Sequence, residues 1–303
     1  MNNRNTAGVI YAIAAYLVWG ILPIYWKLLD NVFPMEVLAH RIVWSLVFMC
    51  IVITVTKQWD EFKHIIKDKR QMLYIFIASI MITINYGVYI WAINSNKIIE
   101  ASLGYYINPL LAVLLGIIIF KEKVNFLTGT ALIVALVGVL IKAIQYGKIP
   151  WISLSLAVSF ALYGAIKKSV SVSPTVGITL EVAMITPFAL IYIGLRNISG
   201  VGAFNTQGAS IIFLLMGSGV ATAVPLLLFA SGAKRIPLSL IGFTQYICPT
   251  IVLLIGIFMY NEGFTTIDMI AFGFIWLAIV IYSFSQVSLR KNLKSLENIN
   301  KIS

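Results

Sequence analysis

Uncharged apolar runs recur along this chain from one end to the other, separated by short polar or basic interruptions. Each run is about the length that carries an α-helix across a bilayer at 1.5 Å per residue. The pattern predicts ten spans: 7–26, 37–56, 72–93, 102–120, 126–143, 151–166, 176–195, 210–232, 238–260 and 267–286. The sixth is the weakest, being short and rich in serine. The first reads as a spanning helix rather than a cleaved leader, because the run is long and no small-residue cleavage site follows it. The stretch 57–71 between the second and third spans is charged and predicts a small surface helix. The expected fold is therefore all-α and integral to the membrane.

One run occurs twice. A shift of 140 positions lays Tyr106, Ile107, Pro109, Leu114, Gly116, Ile117 and Glu122 on Tyr246, Ile247, Pro249, Leu254, Gly256, Ile257 and Glu262, giving 7 identities in 17 positions. Apolar helices match by chance at leucine and isoleucine, but rarely share a proline, a glycine and a closing glutamate in register. This reads as an internal duplication. Five predicted spans separate the copies, so the second crosses the membrane the other way up. The chain is expected to hold two inverted five-helix units, 1–145 and 146–303, an arrangement that places substrate near the midplane between the repeats of many carriers.

Composition strengthens this picture and charge orients it. Hydrophobic residues make up 60% of the chain and charged ones 11%, against about 25% charged in soluble domains. With the N-terminus inside, 16 of the 22 Lys and Arg residues fall on the cytoplasmic side, so both termini are expected there. That bias accounts for the net charge of +11 without nucleic acid. Cys50 and Cys248 lie inside apolar runs, and no Cys/His grouping has metal-ligand spacing, so neither a metal nor another cofactor is expected.

The candidate chemistry lies at the exceptions to apolarity. Pro109 and Pro249 each free the carbonyl four residues back, on Tyr105 and Gln245. Such a carbonyl must face protein or a wet cavity. The segments Tyr105, Tyr106, Asn108, Pro109 and Gln245, Tyr246, Cys248, Pro249 are therefore candidates to line a pathway, with packing kinks as the alternative. Charges inside a span cost about 2.5–3.5 kcal/mol even on lenient scales and usually face a cavity or a partner. Glu36, His40 and Arg41 are spaced to form a local cluster on the second span, or a snorkelling arginine with its neighbours. Glu181 can take up a proton or pair with Arg41. Glu100 opens the fourth span, where a carboxylate stabilises the helix dipole without further role. Glu122 and Glu262 are expected to anchor the interface. Asn85, Asn94, Asn96 and Asn108 either bind substrate or bond helix to helix. Most tryptophans fit an aromatic belt.

At these residues the chain resembles a known family. The twice-used Pro…Gly…Glu span resembles the EamA repeat of the drug/metabolite transporter superfamily. The segments Ala15-Tyr16-Leu17-Val18-Trp19-Gly20, Ala39-His40-Arg41-Ile42-Val43-Trp44-Ser45, Ile90-Trp91-Ala92-Ile93-Asn94, Glu100-Ala101-Ser102-Leu103-Gly104-Tyr105-Tyr106-Ile107-Asn108-Pro109 and Gln245-Tyr246-Ile247-Cys248-Pro249-Thr250 are similar to its RarD branch. The resemblance implies ten helices, cytoplasmic termini, an inner-membrane location, a permease role and a pathway lined by the third, fourth, eighth and ninth helices. The branch name, tied to chloramphenicol sensitivity, does not identify a substrate. The expected function is a secondary carrier, an exporter of a small metabolite or drug-like molecule working by alternating access, in the lipid bilayer of the cell membrane. A homodimer is compatible with this and nothing in the sequence decides it. The alternatives are an integral-membrane enzyme acting on lipid, for which His40 with Glu36 is the only near candidate and lacks a nucleophile–base set, and a membrane scaffold or sensor, which lacks a readout domain.

Overall fold

A computed structural model describes residues 3–95, 97–147, 150–260 and 265–299, with the side chains of 3, 4, 93, 94, 98–102, 146 and 286–299 outside the description. The described residues form helices and no strand. In chain order they are α1 (Asn3–Lys27), α2 (Pro34–Val55), α3 (Trp59–Lys67), α4 (Lys69–Asn94), α5 (Ile98–Phe120), α6 (Phe126–Tyr146) and α7 (Trp151–Ser169). Then come α8 (Pro174–Ile198), α9 (Ala203–Thr206), α10 (Ala209–Ala233), α11 (Leu238–Gln245), α12 (Ile247–Tyr260) and α13 (Thr266–Ile299).

Among the described residues nine segments are long and apolar enough to cross a membrane. The predicted sixth span, α7, is not one of them: Ser153, Ser155, Ser159, Lys167 and Lys168 dilute its hydropathy. It packs on α5 and α4, and Ser153, Ser159 and Lys167 are buried. The outside of the bundle is apolar. Phe188, Phe213 and Phe258 are 72%, 71% and 78% exposed, an outer face suited to hydrocarbon and not to water.

Local signals explain where helices begin and end. Pro34 and Pro174 start α2 and α8 at the first turn, where a missing N–H costs nothing. Asn125 and Ser173 cap α6 and α8 by accepting from the N–H groups of Thr128 and Val176. The charged stretch after α2 forms α3, with Asp60 and Glu61 in its first turn, His64 and Lys67 in its last, and Ile65 turned into the protein.

The two prolines of the duplicated span act differently. α5 runs through Pro109 without interruption. At the second copy the helix breaks at Tyr246, between α11 and α12, three residues before Pro249 and beside the carbonyl that it frees. The copies meet each other where α5 crosses α11. Tyr246 donates from its hydroxyl to the Tyr106 carbonyl at 3.3 Å. A Cβ on Gly242 would lie 2.6 Å from the Pro109 carbonyl oxygen, so only glycine admits this approach.

Glu122 does more than mark an interface. It reaches from the end of α5 to the start of α11 and accepts from the N–H groups of Leu238 at 2.6 Å and Ser239 at 2.9 Å. Lys168 stands 3.9 Å from the same carboxylate and donates to the Ile236 carbonyl at 2.6 Å. A capping carboxylate contributes through both hydrogen bonds and the helix dipole. Glu122→Ala is expected to cost about 1–2 kcal/mol, read as a lowered melting temperature in detergent. Unchanged melting would deny the cap any weight. Glu262, its counterpart by sequence, lies outside the described residues.

Candidate functional site

Arg41 sits two turns into α2, in a stretch that would otherwise be wholly apolar. Its Nε donates to the Thr222 Oγ1 of α10 at 2.9 Å. Thr222 is placed to accept because its own hydroxyl proton goes to the Ser218 carbonyl at 2.8 Å. The guanidinium carbon lies 4.3 Å from the ring centre of Trp26 and 5.1 Å from that of Tyr86. These are cation–π distances, which hold a charge away from bulk water without neutralising it.

Tyr89 and Tyr105 complete the surround. Their rings meet edge to face at 6.1 Å, and both lie within reach of the Arg41 charge. Tyr105 is nevertheless 43% exposed. The half-exposed Tyr105 ring leaves open space beside this cluster, the Arg41 chamber. The residues around Arg41 thus come from α1, α4, α5 and α10, with Arg41 itself on α2.

A cavity of about 40 Å³ lies alongside, bounded by α2, α4, α7, α8 and α10. Tyr86 and Thr222 line it from the Arg41 side, Tyr163 and Glu181 from the other. Glu181 is 4% exposed, as is Lys167, and accepts from Lys167 Nζ at 2.7 Å and from the Tyr163 hydroxyl at 3.0 Å. This buried acid–base pair replaces the alternative partnership of Glu181 with Arg41.

The expected Glu36–His40–Arg41 cluster does not assemble. At 100° per residue, Arg41 is turned about 100° from His40 and about 140° from Glu36 around the helix. Glu36 points toward the α8–α9 connection, accepting from the Ala203 N–H at 2.6 Å and from Arg196 at 3.4 Å. His40 packs against Phe204 at 5.2 Å. Arg41 faces α1, α4 and α10 instead.

The remaining candidates separate. Asn85 donates to the Leu156 carbonyl at 2.8 Å and the Ser159 hydroxyl at 3.1 Å, tying α4 to α7. Tyr106 and Tyr246 pack in the seam with α6 and α13, where Tyr106 meets Phe272 at 5.2 Å. Gln245, Pro249 and Asn108 are buried, and the Asn108 Oδ1 has no partner among the described residues. The side chains of Glu100 and Asn94, and all of Asn96, lie outside the described residues. Sequence reasoning missed Trp26, Tyr86, Tyr89, Lys167 and Thr222. The one available signal was Tyr86-x-x-Tyr89, two phenols on one face of α4.

Residues 6–143 match the EamA-like transporter family. The chain is similar to "Uncharacterized transporter YojE" of Bacillus subtilis, 48% identical over 95% of this chain and 97% of that protein. It is similar to "Protein RarD" of Escherichia coli, 38% identical over 91% of this chain and 93% of that one. An "Uncharacterized transporter" of Vibrio cholerae is 37% identical over 91% of each. A solved crystal structure, 16% identical, superposes with a TM-score of 0.69 over 92% of this chain and 98% of that one, and shares the fold.

Proposed function

Because the chain belongs to the EamA family, in the RarD branch of the drug/metabolite transporter superfamily, we propose that it is a secondary-active permease moving a small metabolite by alternating access. This is a multi-pass membrane protein whose relatives are named as transporters. Its transport cycle is read above all from the Arg41 chamber. A half-buried cation with aromatic side chains about it, where five helices meet, is costly to keep in a membrane unless something uses it. In this reading export is the direction, the cell membrane is the location and both termini face the cytoplasm.

The halves 1–145 and 146–303 act in the proposal as inverted repeats. The 140-residue shift that aligns the proline spans also lays Pro34 on Pro174 and Arg41 on Glu181. The Tyr246–Tyr106 bond and the Gly242–Pro109 approach supply a crossing point near which the two units rock. Arg41 with Tyr86, Tyr89, Tyr105 and Thr222 form the substrate site. Of the sequence candidates, Tyr106, Asn108, Pro109, Gln245, Tyr246 and Pro249 shape the crossing behind it.

The test is an untargeted comparison of metabolites inside and outside cells lacking the protein, complemented with the native chain or with Arg41→Gln. At least one compound is expected to accumulate about tenfold or more in the deletion strain, to return to normal with the native chain and to stay high with the variant. Identical profiles in all three strains would sink the transport reading. A compound chemically converted, not redistributed, would favour the enzyme.

A further inference from the structure

We propose that the substrate is an organic monoanion, a carboxylate on a flat aromatic or apolar body, held head-first by Arg41; this rests on the transport reading above. The charge balance of the chamber carries the inference. Among the described residues no carboxylate pairs with Arg41. The buried acids among the described residues, Glu36 and Glu181, are committed elsewhere. Glu36 binds Arg196 and the Ala203 N–H. Glu181 binds Lys167 and Tyr163. The Lys167–Glu181 pair is neutral as a unit, so the described part of the chamber carries the net charge of one guanidinium.

The geometry of that guanidinium selects the head group. Nε is spent on Thr222. The terminal nitrogens make no bond to a described residue, and neither is among the fully buried unpartnered atoms. They are thus left as a two-pronged donor open to the chamber. Two parallel N–H donors in one plane match a carboxylate. A dianion such as a phosphate monoester would bring a second charge with no second described cation to meet it. The Trp26 and Tyr86 rings, 4.3 and 5.1 Å from the guanidinium carbon, restrain it by cation–π attraction. The body of the substrate then meets the half-open Tyr105 and its neighbour Tyr89, whose rings favour a flat apolar group over a sugar or polyol.

The inference is tested with purified full-length protein and matched probe pairs: benzoate and benzamide, phenylacetate and phenylacetamide, indole-3-acetate and indole-3-acetamide. Phenyl phosphate serves as the dianion. Binding is read from titration calorimetry and from thermal shift. At least one acid is expected to bind at least tenfold more tightly than its amide and than phenyl phosphate. Arg41→Gln should erase that preference while keeping the native melting temperature within a few degrees. Arg41→Lys, which keeps the charge and loses the fork, should retain part of it. Acids binding no better than amides, a preference untouched in Arg41→Gln, or no acid binding at millimolar concentration would each overturn the proposal. The same acids are then loaded into proteoliposomes for counterflow. Arg41-dependent binding without counterflow would leave the anion site standing and remove the carrier. Counterflow of neutral or cationic solutes that is indifferent to Arg41→Gln would do the reverse.

Discussion

Replacing Lys167 alone, as Lys167→Met, is expected to destabilise the protein by about 3–5 kcal/mol. Glu181→Gln alone should cost a similar amount. The double variant should recover most of the loss. The reason is the asymmetry of a buried ion pair. Lys167 Nζ and the Glu181 carboxylate are 2.7 Å apart and each side chain is 5% exposed. Each ion gave up its hydration to reach that position and is compensated by its partner and, for Glu181, by the Tyr163 hydroxyl. Removing one leaves the other as an uncompensated charge where water does not reach. Removing both leaves two neutral side chains of similar volume, a change often neutral or stabilising. The measurement is a double-mutant cycle on thermal unfolding in detergent. Additive losses in the double variant would mean that the two groups do not act as a pair.

The same pair marks the limit of what the sequence disclosed. Glu181 stood out because a carboxylate inside an apolar run is rare, and rarity is a local property. Its partner did not, because Lys167 and Lys168 end α7 and read as ordinary flanking charges. Only the rotation of α7 against α8 turns one lysine inward to Glu181 while the next reaches the Ile236 carbonyl. Arg41 was visible for the same reason as Glu181, whereas Thr222 lies 181 positions away on a helix with no unusual pattern. The helices themselves were legible, since a membrane enforces the apolar runs directly. The two prolines were legible only as a pair of freed carbonyls. Local sequence does not say that the second helix breaks at Tyr246 while the first stays continuous through Pro109. Serine-rich α7 shows the reverse case: a helix flanked by neighbours tolerates polarity that a hydropathy window rejects.

Gly219→Ala is expected to lower stability by about 1–3 kcal/mol or more and to cut substrate transport at least about tenfold, although the residue does not touch the chamber. A Cβ at this position would lie 2.2 Å from the Trp44 carbonyl carbon and 2.5 Å from the Ser45 nitrogen. Contact distance for carbon is about 3.5 Å or more, so α2 and α10 must separate by roughly 1 Å. The obstacle is backbone, so no rotamer change relieves it. The Ser45 hydroxyl donates to the Gly219 carbonyl at 3.0 Å, and this bond stretches first. One turn away on the two helices, Thr222 holds Arg41. Separation there frees the guanidinium from its anchor and lets its fork swing away from Trp26 and Tyr86. Gly273→Ala is the control, because a Cβ there meets nothing within 4 Å. In mid-helix it should be neutral or slightly stabilising through helix propensity. If the two alanine variants melt and transport alike, the close approach at Gly219 does not position Arg41, and the chamber owes its geometry to something else.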